Sequence, residues 1–408
     1  MFCFILILTL LLQIICVTSK ELAKPNSTEL VKSNSTEFVM PNSTDINKLS
    51  TCSNQFNLDV VKACVNSSEP NCAFDGINVM LSAGSFMNDF GPVERPMFFH
   101  AFCYNLAFES LDQVVELFKK NLTKYHNAHT LFAFDQRYNL SGPFWKKLVD
   151  YKYIWLKVVD LGKEADVYAL EMIEEMKNFT NSEEIESAMK NKLNISKDDK
   201  WVVLHASKLE QNFVYPFDES KTANGNFSNI GKENTTVKFM NMKRKLNYTS
   251  NDKFSAVVLP LENRHDFLIM CPSNGTDYRN FVANLSHTTV NETMKNMTET
   301  VVNVSIPKFK IVSEKTSFNL RSNKDLYQLL TLSKLMGVSN PPDLHITSVL
   351  FVNYVEVSEK KVKQVALAGG SGRSVGDVES FVCNRPFVYI VLLDGINMLT
   401  GIVDKLPS

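Results

Sequence analysis

The chain has 408 residues, 44% of them hydrophobic, and a formal net charge of −1 at pH 7. This length and apolar content are ample for a packed core. The balanced charge gives no indication of nucleic-acid binding or of attraction to an anionic membrane. The short basic run at residues 243–245 is typical either of a polyanion site or, as we prefer, of a solvated surface patch.

The N-terminal residues have the pattern of a secretory signal. Residues 4–16 are apolar apart from Thr9 and Gln13, and small residues follow at 17–19. This run is too short to span a bilayer and fits the apolar region of a signal peptide, with an uncleaved anchor as the alternative. We therefore expect a signal peptide at residues 1–19, no membrane span, and a protein secreted to the extracellular space.

A short repeat follows the signal. Residues 25–48 repeat an eight-residue unit of the type Pro-Asn-Ser-Thr-Glu, which offers few apolar side chains for burial. We predict a disordered, glycan-bearing arm at residues 20–50 and one folded domain at residues 51–408.

The sequon Asn-x-Ser/Thr occurs along the whole chain. One such motif carries little information, but this density behind a signal peptide predicts a glycoprotein whose used sites lie on the surface. The sequon asparagines are Asn26, Asn34, Asn42, Asn66, Asn121, Asn139, Asn178, Asn194, Asn226, Asn234, Asn247, Asn274, Asn284, Asn291, Asn296 and Asn303.

Cysteine content fits the same compartment. Removal of the signal peptide leaves an even set that can pair completely, in a connectivity that the sequence alone does not define. These cysteines are Cys52, Cys64, Cys72, Cys103, Cys271 and Cys383. We predict a Cys271–Cys383 disulfide because Cys271 ends one predicted strand and Cys383 precedes the strand expected to be its antiparallel neighbour. No Cys-x-x-Cys pair is present, which argues against zinc.

Helical patterns and strand patterns occur without regular alternation. Helical spacing occurs at residues 111–118 and at 322–335, where the helix is expected to end at Gly337. Strand patterns occur at residues 200–204, 254–259, 267–271, 301–311, 346–357, 387–393 and 398–403. Asp394-Gly395 between the last two predicts a hairpin, because this dipeptide tolerates positive φ. The N-terminal half is helix-rich and the C-terminal half strand-rich, which predicts an α+β fold.

The C-terminal half resembles the serpin family. Phe381-Val-Cys-Asn-Arg-Pro-Phe-Val-Tyr-Ile-Val391 is similar to the family signature, and residues 398–403 are similar to its closing strand. Residues 306–311, 325–338 and 214–217 with Thr222 also resemble family segments. The resemblance implies a three-sheet fold with an exposed reactive-centre loop. In inhibitory members a protease cleaves that loop and is trapped while the loop inserts into the central sheet.

The loop itself departs from the inhibitory pattern. Glu359 opens it and Pro386 follows it, an interval (386 − 359 = 27) of the length that the resemblance implies for an inhibitor. The family hinge usually reads Glu-x-Gly-Thr-Glu and then small residues. This hinge comprises Glu359, Lys361, Val362, Lys363 and Gln364.

Two features of this hinge are expected to slow insertion. Lys361 replaces a glycine and so restricts φ, while Gln364 would bury an amide on insertion. Val362, Ala366 and Ala368 fit the inward-facing positions.

The family register places the cleaved bond at Val375-Gly376. Arg373-Ser374, two residues earlier, is a suitable bond for a trypsin-like protease, or equally an ordinary exposed arginine in a loop.

The residues that control sheet opening are also altered in this chain. By resemblance, Asp75 and Asn78 replace serines, His205 replaces an asparagine and Phe351 replaces a histidine. A His205–Asp75 pair would rebuild the hydrogen bonding, whereas drift in a protein that no longer inserts its loop is the interpretation we prefer.

The top of the sheet is less altered. Glu359 and Lys308 match the family's opposed charged pair, and Phe213 replaces its tryptophan.

Two functions follow from these patterns. The first is a non-inhibitory secreted serpin that acts as carrier, precursor or binding protein. The second is an extracellular inhibitor of a trypsin-like or elastase-like serine protease. We expect no enzymatic activity, because no nucleophile–base arrangement is present. We also expect no cofactor, no metal (His126 and His129 are predicted to lie on the surface) and a monomer that has a protease, a receptor or a ligand as its partner.

Overall fold

The computed structural model describes residues 43–65, 71–86, 89–92, 96, 127–150, 154–209, 211–231, 233–316, 335–359 and 378–407. These residues form an α+β fold with three sheets, as predicted. The helices are α1 (Ser43–Val65), α2 (Gly76–Gly84), α3 (Gly142–Asp150), α4 (Leu161–Thr180), α5 (Glu183–Lys192), α6 (Tyr278–Ala283) and α7 (His287–Lys295).

Most of the strands lie in the C-terminal half of the chain, as predicted. The strands are β1 (Asn71–Phe74), β2 (Asn127–Asp135), β3 (Asn139–Leu140), β4 (Ile154–Val159), β5 (Trp201–Leu209), β6 (Ala223–Ser228), β7 (Asn234–Ser250), β8 (Phe254–Pro260), β9 (His265–Pro272), β10 (Thr298–Pro307), β11 (Phe309–Thr316), β12 (Ser339–Asn340), β13 (Ser348–Val357), β14 (Glu379–Val382), β15 (Phe387–Leu393) and β16 (Ile396–Val403).

The five-stranded sheet has the order β11-β13-β5-β2-β4. Its side chains alternate between two apolar layers, as the pleat of a strand requires. On β13, Phe351 and Val355 face the main core, while Leu350, Val352 and Tyr354 face the layer that α4 and α5 cover. The sheet is therefore buried on both faces over most of its length.

The nine-stranded sheet has the order β1-β16-β15-β9-β8-β7-β10-β14, with β6 paired to β7. β15 and β16 form the predicted hairpin, and Asp394 and Gly395 adopt φ values of 50° and 82°. β3 and β12 form a separate two-stranded sheet.

One predicted strand is two strands in the structure. Residues 301–311 divide at Lys308, because β10 ends at Pro307 in the nine-stranded sheet and β11 begins at Phe309 in the five-stranded sheet. Proline has no N–H for a ladder, which favours a strand end at that position. Lys308 therefore lies where the chain passes from one sheet to the other.

The helices predicted at residues 111–118 and 322–335 lie mainly outside the described residues. So do the signal peptide and most of the arm. Helix α1 begins at Ser43, inside the last repeat unit. The domain boundaries at residues 19 and 50 stay predictions.

The predicted Cys271–Cys383 disulfide is wrong. The structure has a Cys64–Cys72 disulfide, while Cys271 and Cys383 are free, buried thiols. The predicted strand pairing is correct, since β9, which ends just after Cys271, is the antiparallel neighbour of β15. Cys383 itself, however, follows β14, the neighbour of β10, so that pairing does not bring it into bonding geometry with Cys271. The two thiols are nevertheless adjacent, and burial, followed by the hydrogen bond with Cys271, raises the pKa of Cys383.

Candidate functional site: the central seam and the loop exit

The candidate site is the pairing of β13 with β5, called the seam below. These strands are parallel, in register from Ser348 opposite Val202 to Val355 opposite Leu209. β13 ends at Val357, and Glu359 opens the segment predicted to carry the loop. A segment that left β13 here and folded back into the seam would run antiparallel to both strands.

A buried polar cluster lies across the seam. The Ser207 hydroxyl on β5 donates a 2.7 Å hydrogen bond to Asn353 Oδ1 on β13. The backbone N–H of Asp75, just before α2, donates to the same oxygen at 3.3 Å. All three residues are buried. The cluster therefore ties the two strands of the seam to each other and to α2.

Sequence reasoning missed Asn353 and Ser207. The available signal was a polar residue at a core-facing position of an otherwise apolar strand, a pattern that requires a buried partner. What it could not supply was the partner itself, because Ser207 and Asn353 are 146 positions apart.

The structure brings the predicted His205–Asp75 pair together. His205 Nε2 is 3.6 Å from Asp75 Oδ2, and both side chains are buried. On the other side of the ring, His205 Nδ1 is 3.0 Å from the Thr130 hydroxyl, which shares a 2.8 Å hydrogen bond with Ser82. The Asn78 side-chain amide donates to both Asp75 oxygens, at 3.0 and 2.8 Å, and so orients the carboxylate.

Phe351 closes the seam with an apolar contact. It is the register partner of His205, and the two ring centroids are 5.9 Å apart. Its other face meets Phe74 at 6.2 Å. Because its side chain is a hydrocarbon ring, Phe351 makes no hydrogen bond across the seam. The polar bridge is made at Asn353 instead.

The loop exit is held by a charged contact. Lys308 Nζ is 2.6 Å from Glu359 Oε2, and the Thr222 hydroxyl donates to Glu359 Oε1 at 2.5 Å. Burial raises the pKa of Glu359, but hydrogen bonds from Lys308 and Thr222 outweigh it, so the net shift is downward. The carboxylate therefore stays ionised and joins β13 to the crossover at Lys308.

The remaining predicted loop residues lie outside the described residues: Lys361, Val362, Lys363, Gln364, Arg373, Ser374, Val375 and Gly376. On the far side of the loop, the chain is described again from Val378, and β14 pairs in parallel with β10, Glu379 opposite Val302.

His129 is not on the surface as expected. It lies in β2, and its ring lies between those of Trp155 and Phe179, with centroids 4.0 and 4.5 Å away. Burial, and then the nearby His205, lowers its pKa to about 4. The expectation failed because a polar-looking segment is in fact an inner strand. Within the part of the chain that the structure describes, no group of three or more His, Cys, Asp or Glu side chains could hold a metal ion.

Sequon asparagines within the described residues are all exposed. They lie on strands, on helices and in loops alike: Asn139, Asn178, Asn194, Asn226, Asn234, Asn247, Asn274, Asn284, Asn291, Asn296 and Asn303. Among the described helices, none is both long and apolar enough to cross a membrane.

Residues 243–245 do not form a free cationic patch. Lys245 pairs with Glu299, and the Arg244 guanidinium lies 3.7 Å above the ring of Tyr215. Asn303, a sequon asparagine, is the register partner of Lys243. These contacts favour an ordinary surface over a polyanion site.

Comparison with known proteins identifies the class. The profile of the family described as "Serpin (serine protease inhibitor)" matches residues 52–400. The chain belongs to the serpin family, whose members are in general protease inhibitors rather than enzymes.

Individual relatives are distant. Leukocyte elastase inhibitor of Xenopus tropicalis is 25% identical over 372 residues, 85% of this chain and 96% of that protein. Iripin-8 of Ixodes ricinus is 26% identical over 175 residues, so the match spans 41% of this chain and only 43% of Iripin-8.

The solved structures of serpins support the fold. The maspin structure superposes with a TM-score of 0.77 at 17% identity, covering 89% of this chain and 100% of maspin. Tengpin, a thermophilic serpin in its native state, gives a TM-score of 0.75 at 18% identity, over 94% and 97% of the two chains.

Proposed function

We propose that this chain is a secreted, N-glycosylated serpin that extracellular serine proteases cleave without being trapped. It would act as a carrier, precursor or binding protein. The observation that carries this proposal is the Ser207–Asn353–Asp75 cluster, which closes the seam with buried hydrogen bonds.

Insertion of the loop would separate these groups. A strand entering between β5 and β13 would break the direct Ser207–Asn353 bond, and a buried polar group left without a partner costs about 1–3 kcal/mol. The inserting segment would bring Gln364, another polar side chain, toward this core. The lost Ser207–Asn353 hydrogen bond and the buried Gln364 amide both disfavour opening of the seam.

The hinge sequence supports the same conclusion. Lys361 narrows the φ range available where the chain must reverse into the seam. Slow insertion gives the acyl-enzyme time to hydrolyse, which makes the loop a substrate.

Inhibition of a trypsin-like or elastase-like protease is the second candidate. It is favoured by the parallel β5–β13 pairing, because an inserted strand would replace one parallel ladder by two antiparallel ladders, which are slightly more stable per residue. Loop length and the small residues Ala366 and Ala368 also favour inhibition.

A mixing experiment separates the two. We expect trypsin or pancreatic elastase to cleave the glycoprotein. The protease should keep its full activity toward a chromogenic peptide, because the loop does not insert before the acyl-enzyme is hydrolysed. Denaturing gels should show cleaved protein and no covalent complex. A complex that survives SDS, together with loss of protease activity at equal molar amounts, would establish the inhibitor function instead.

Glycosylation and secretion are tested separately. The exposure of every described sequon asparagine supports their use as glycan acceptors. Expressed in a eukaryotic cell, the protein should appear in the medium without residues 1–19. Treatment with an amidase that releases N-glycans should then increase its gel mobility, and an unchanged mobility would contradict the proposal.

A further inference from the structure

A cavity of about 1030 Å³ lies between the two large sheets, beside the loop exit. Its walls come from β6 and β7 of the nine-stranded sheet, from the adjoining ends of β11 and β13, and from the C-terminal residues Leu406 and Pro407. This volume is at the upper end of what ligand-binding pockets in proteins offer. The cavity is therefore large enough for a molecule with a substantial apolar body.

The floor of the cavity is apolar and aromatic. Phe267, Leu261, Phe309 and Leu406 line it and are buried by the core behind them. Phe213 is half-buried and meets Phe267 with ring centroids 6.1 Å apart. Contact with such a floor favours a ligand with an apolar body, because binding removes apolar surface of both partners from water.

Among the described residues, three lysines line the cavity, and two of them are in ion pairs. Lys308 is bound to Glu359, and Lys310 is bound to Glu184 across the sheet edge. Lys238 on β7 is exposed, lines the cavity, and has no ion-pair partner in the described part of the chain.

The Tyr354 hydroxyl donates to Glu356 at 2.9 Å, so that carboxylate already accepts a hydrogen bond. Of the described residues that line the cavity, Lys238 is the cation left available for a ligand.

We propose that this cavity binds an amphipathic anion, a molecule with an apolar body and a single carboxylate or sulfonate headgroup. The body lies on the floor formed by Phe213, Phe267 and Leu261, and the headgroup contacts Lys238. This inference rests on the binding role in the proposed function but not on the response to proteases. Either result can therefore fail while the other stands.

The experiment uses the whole secreted glycoprotein and a fluorescent probe, anilinonaphthalene sulfonate. We expect saturable binding with one site per chain. Dodecanoate should displace the probe at a concentration about tenfold lower than dodecanol, because only the carboxylate gains a charge-assisted hydrogen bond. Aromatic carboxylates such as naphthoate are tested in the same way. The better competitor shows whether the cavity prefers an alkyl chain or a ring system.

Two variants locate the site. Lys238→Gln should weaken probe and dodecanoate binding about tenfold while leaving dodecanol unchanged. Phe213→Asp should weaken all three ligands, because it replaces a half-buried ring of the apolar floor by a carboxylate. The matched control is Lys253→Gln, an exposed lysine that lines a second, smaller groove beside α6 and α7. It should bind as the unmodified protein does.

The effect of N-glycans on ligand binding is measured separately. Asn226 and Asn234 lie on the β6–β7 hairpin, on the face that carries Asn224 and Thr236 of the cavity wall. Binding is therefore measured before and after N-glycan release. Absence of saturable binding in both forms, or equal weakening by Lys238→Gln and Lys253→Gln, would overturn the proposal.

Discussion

Cleavage of the loop near Arg373 is expected to leave the melting temperature of this protein close to that of the intact chain. The reason is that the closed seam, pinned at Ser207 and Asn353, and the restricted hinge at Lys361 keep the cut loop outside the sheet. Any protease that cuts near Arg373 serves, so the natural partner need not be known. The measurement is calorimetry of the purified intact and cleaved forms.

If the cleaved loop did insert, the melting temperature would change strongly. An inserted strand would form two new ladders, and about 1 kcal/mol for each of several added hydrogen bonds would raise the melting temperature by more than about 10 °C. A rise of that size in the unmodified protein would show that the hinge does not block insertion, and the inhibitor function would then be favoured.

Restoring the hinge provides the positive control. The double change Lys361→Gly with Gln364→Ala frees φ at the turn and removes an amide from the inserting face, so cleavage of this variant should now raise the melting temperature. Adding Asn353→Ala, which removes the polar bridge across the seam, should increase the rise further. The matched control is Lys363→Ala, whose side chain is predicted to face away from the core and which should not restore insertion.

Gly401→Ala is expected to destabilise the folded protein by about 3 kcal/mol or more. Gly401 lies in β16 directly opposite Tyr389 in β15, and a β-carbon at this position would overlap the phenol ring. Tyr389 is fully buried among the aromatic rings of Phe267, Phe309 and Phe387, so it cannot move aside. Urea unfolding of the secreted protein, or its yield where folding fails, measures the effect.

Gly142→Ala is the matched control. Gly142 begins α3 and has open space where a β-carbon would lie, so this change should alter stability by less than about 1 kcal/mol. Replacing Tyr389 by leucine together with Gly401→Ala should be less harmful than the sum of the single changes, since the ring that clashes is gone. Equal effects of the two glycine changes would contradict the packing described here.

Local pattern alone determined much of the architecture. Alternation and apolar runs predicted β8, β9, β13 and β15 to within a few residues, and Asp394-Gly395 predicted the last hairpin through its tolerance of positive φ. These features depend on neighbours along the chain. The family resemblance added Glu359 opposite Lys308, and the structure places these two side chains in contact.

Only the tertiary structure decided how distant segments meet. The contact of Ser207 with Asn353 depends on strand order and register, and the place of His129 between Trp155 and Phe179 depends also on the helix that covers the sheet. A shift of one residue in a strand would turn Ser207, Asn353 or His129 to the opposite face of the sheet. The cavity beside Lys238 likewise exists only where two sheets and the C-terminal residues converge. By itself, the sequence determined the fold class from local patterns, and the family from the resemblance of short segments such as residues 381–391. The seam and the cavity are products of packing.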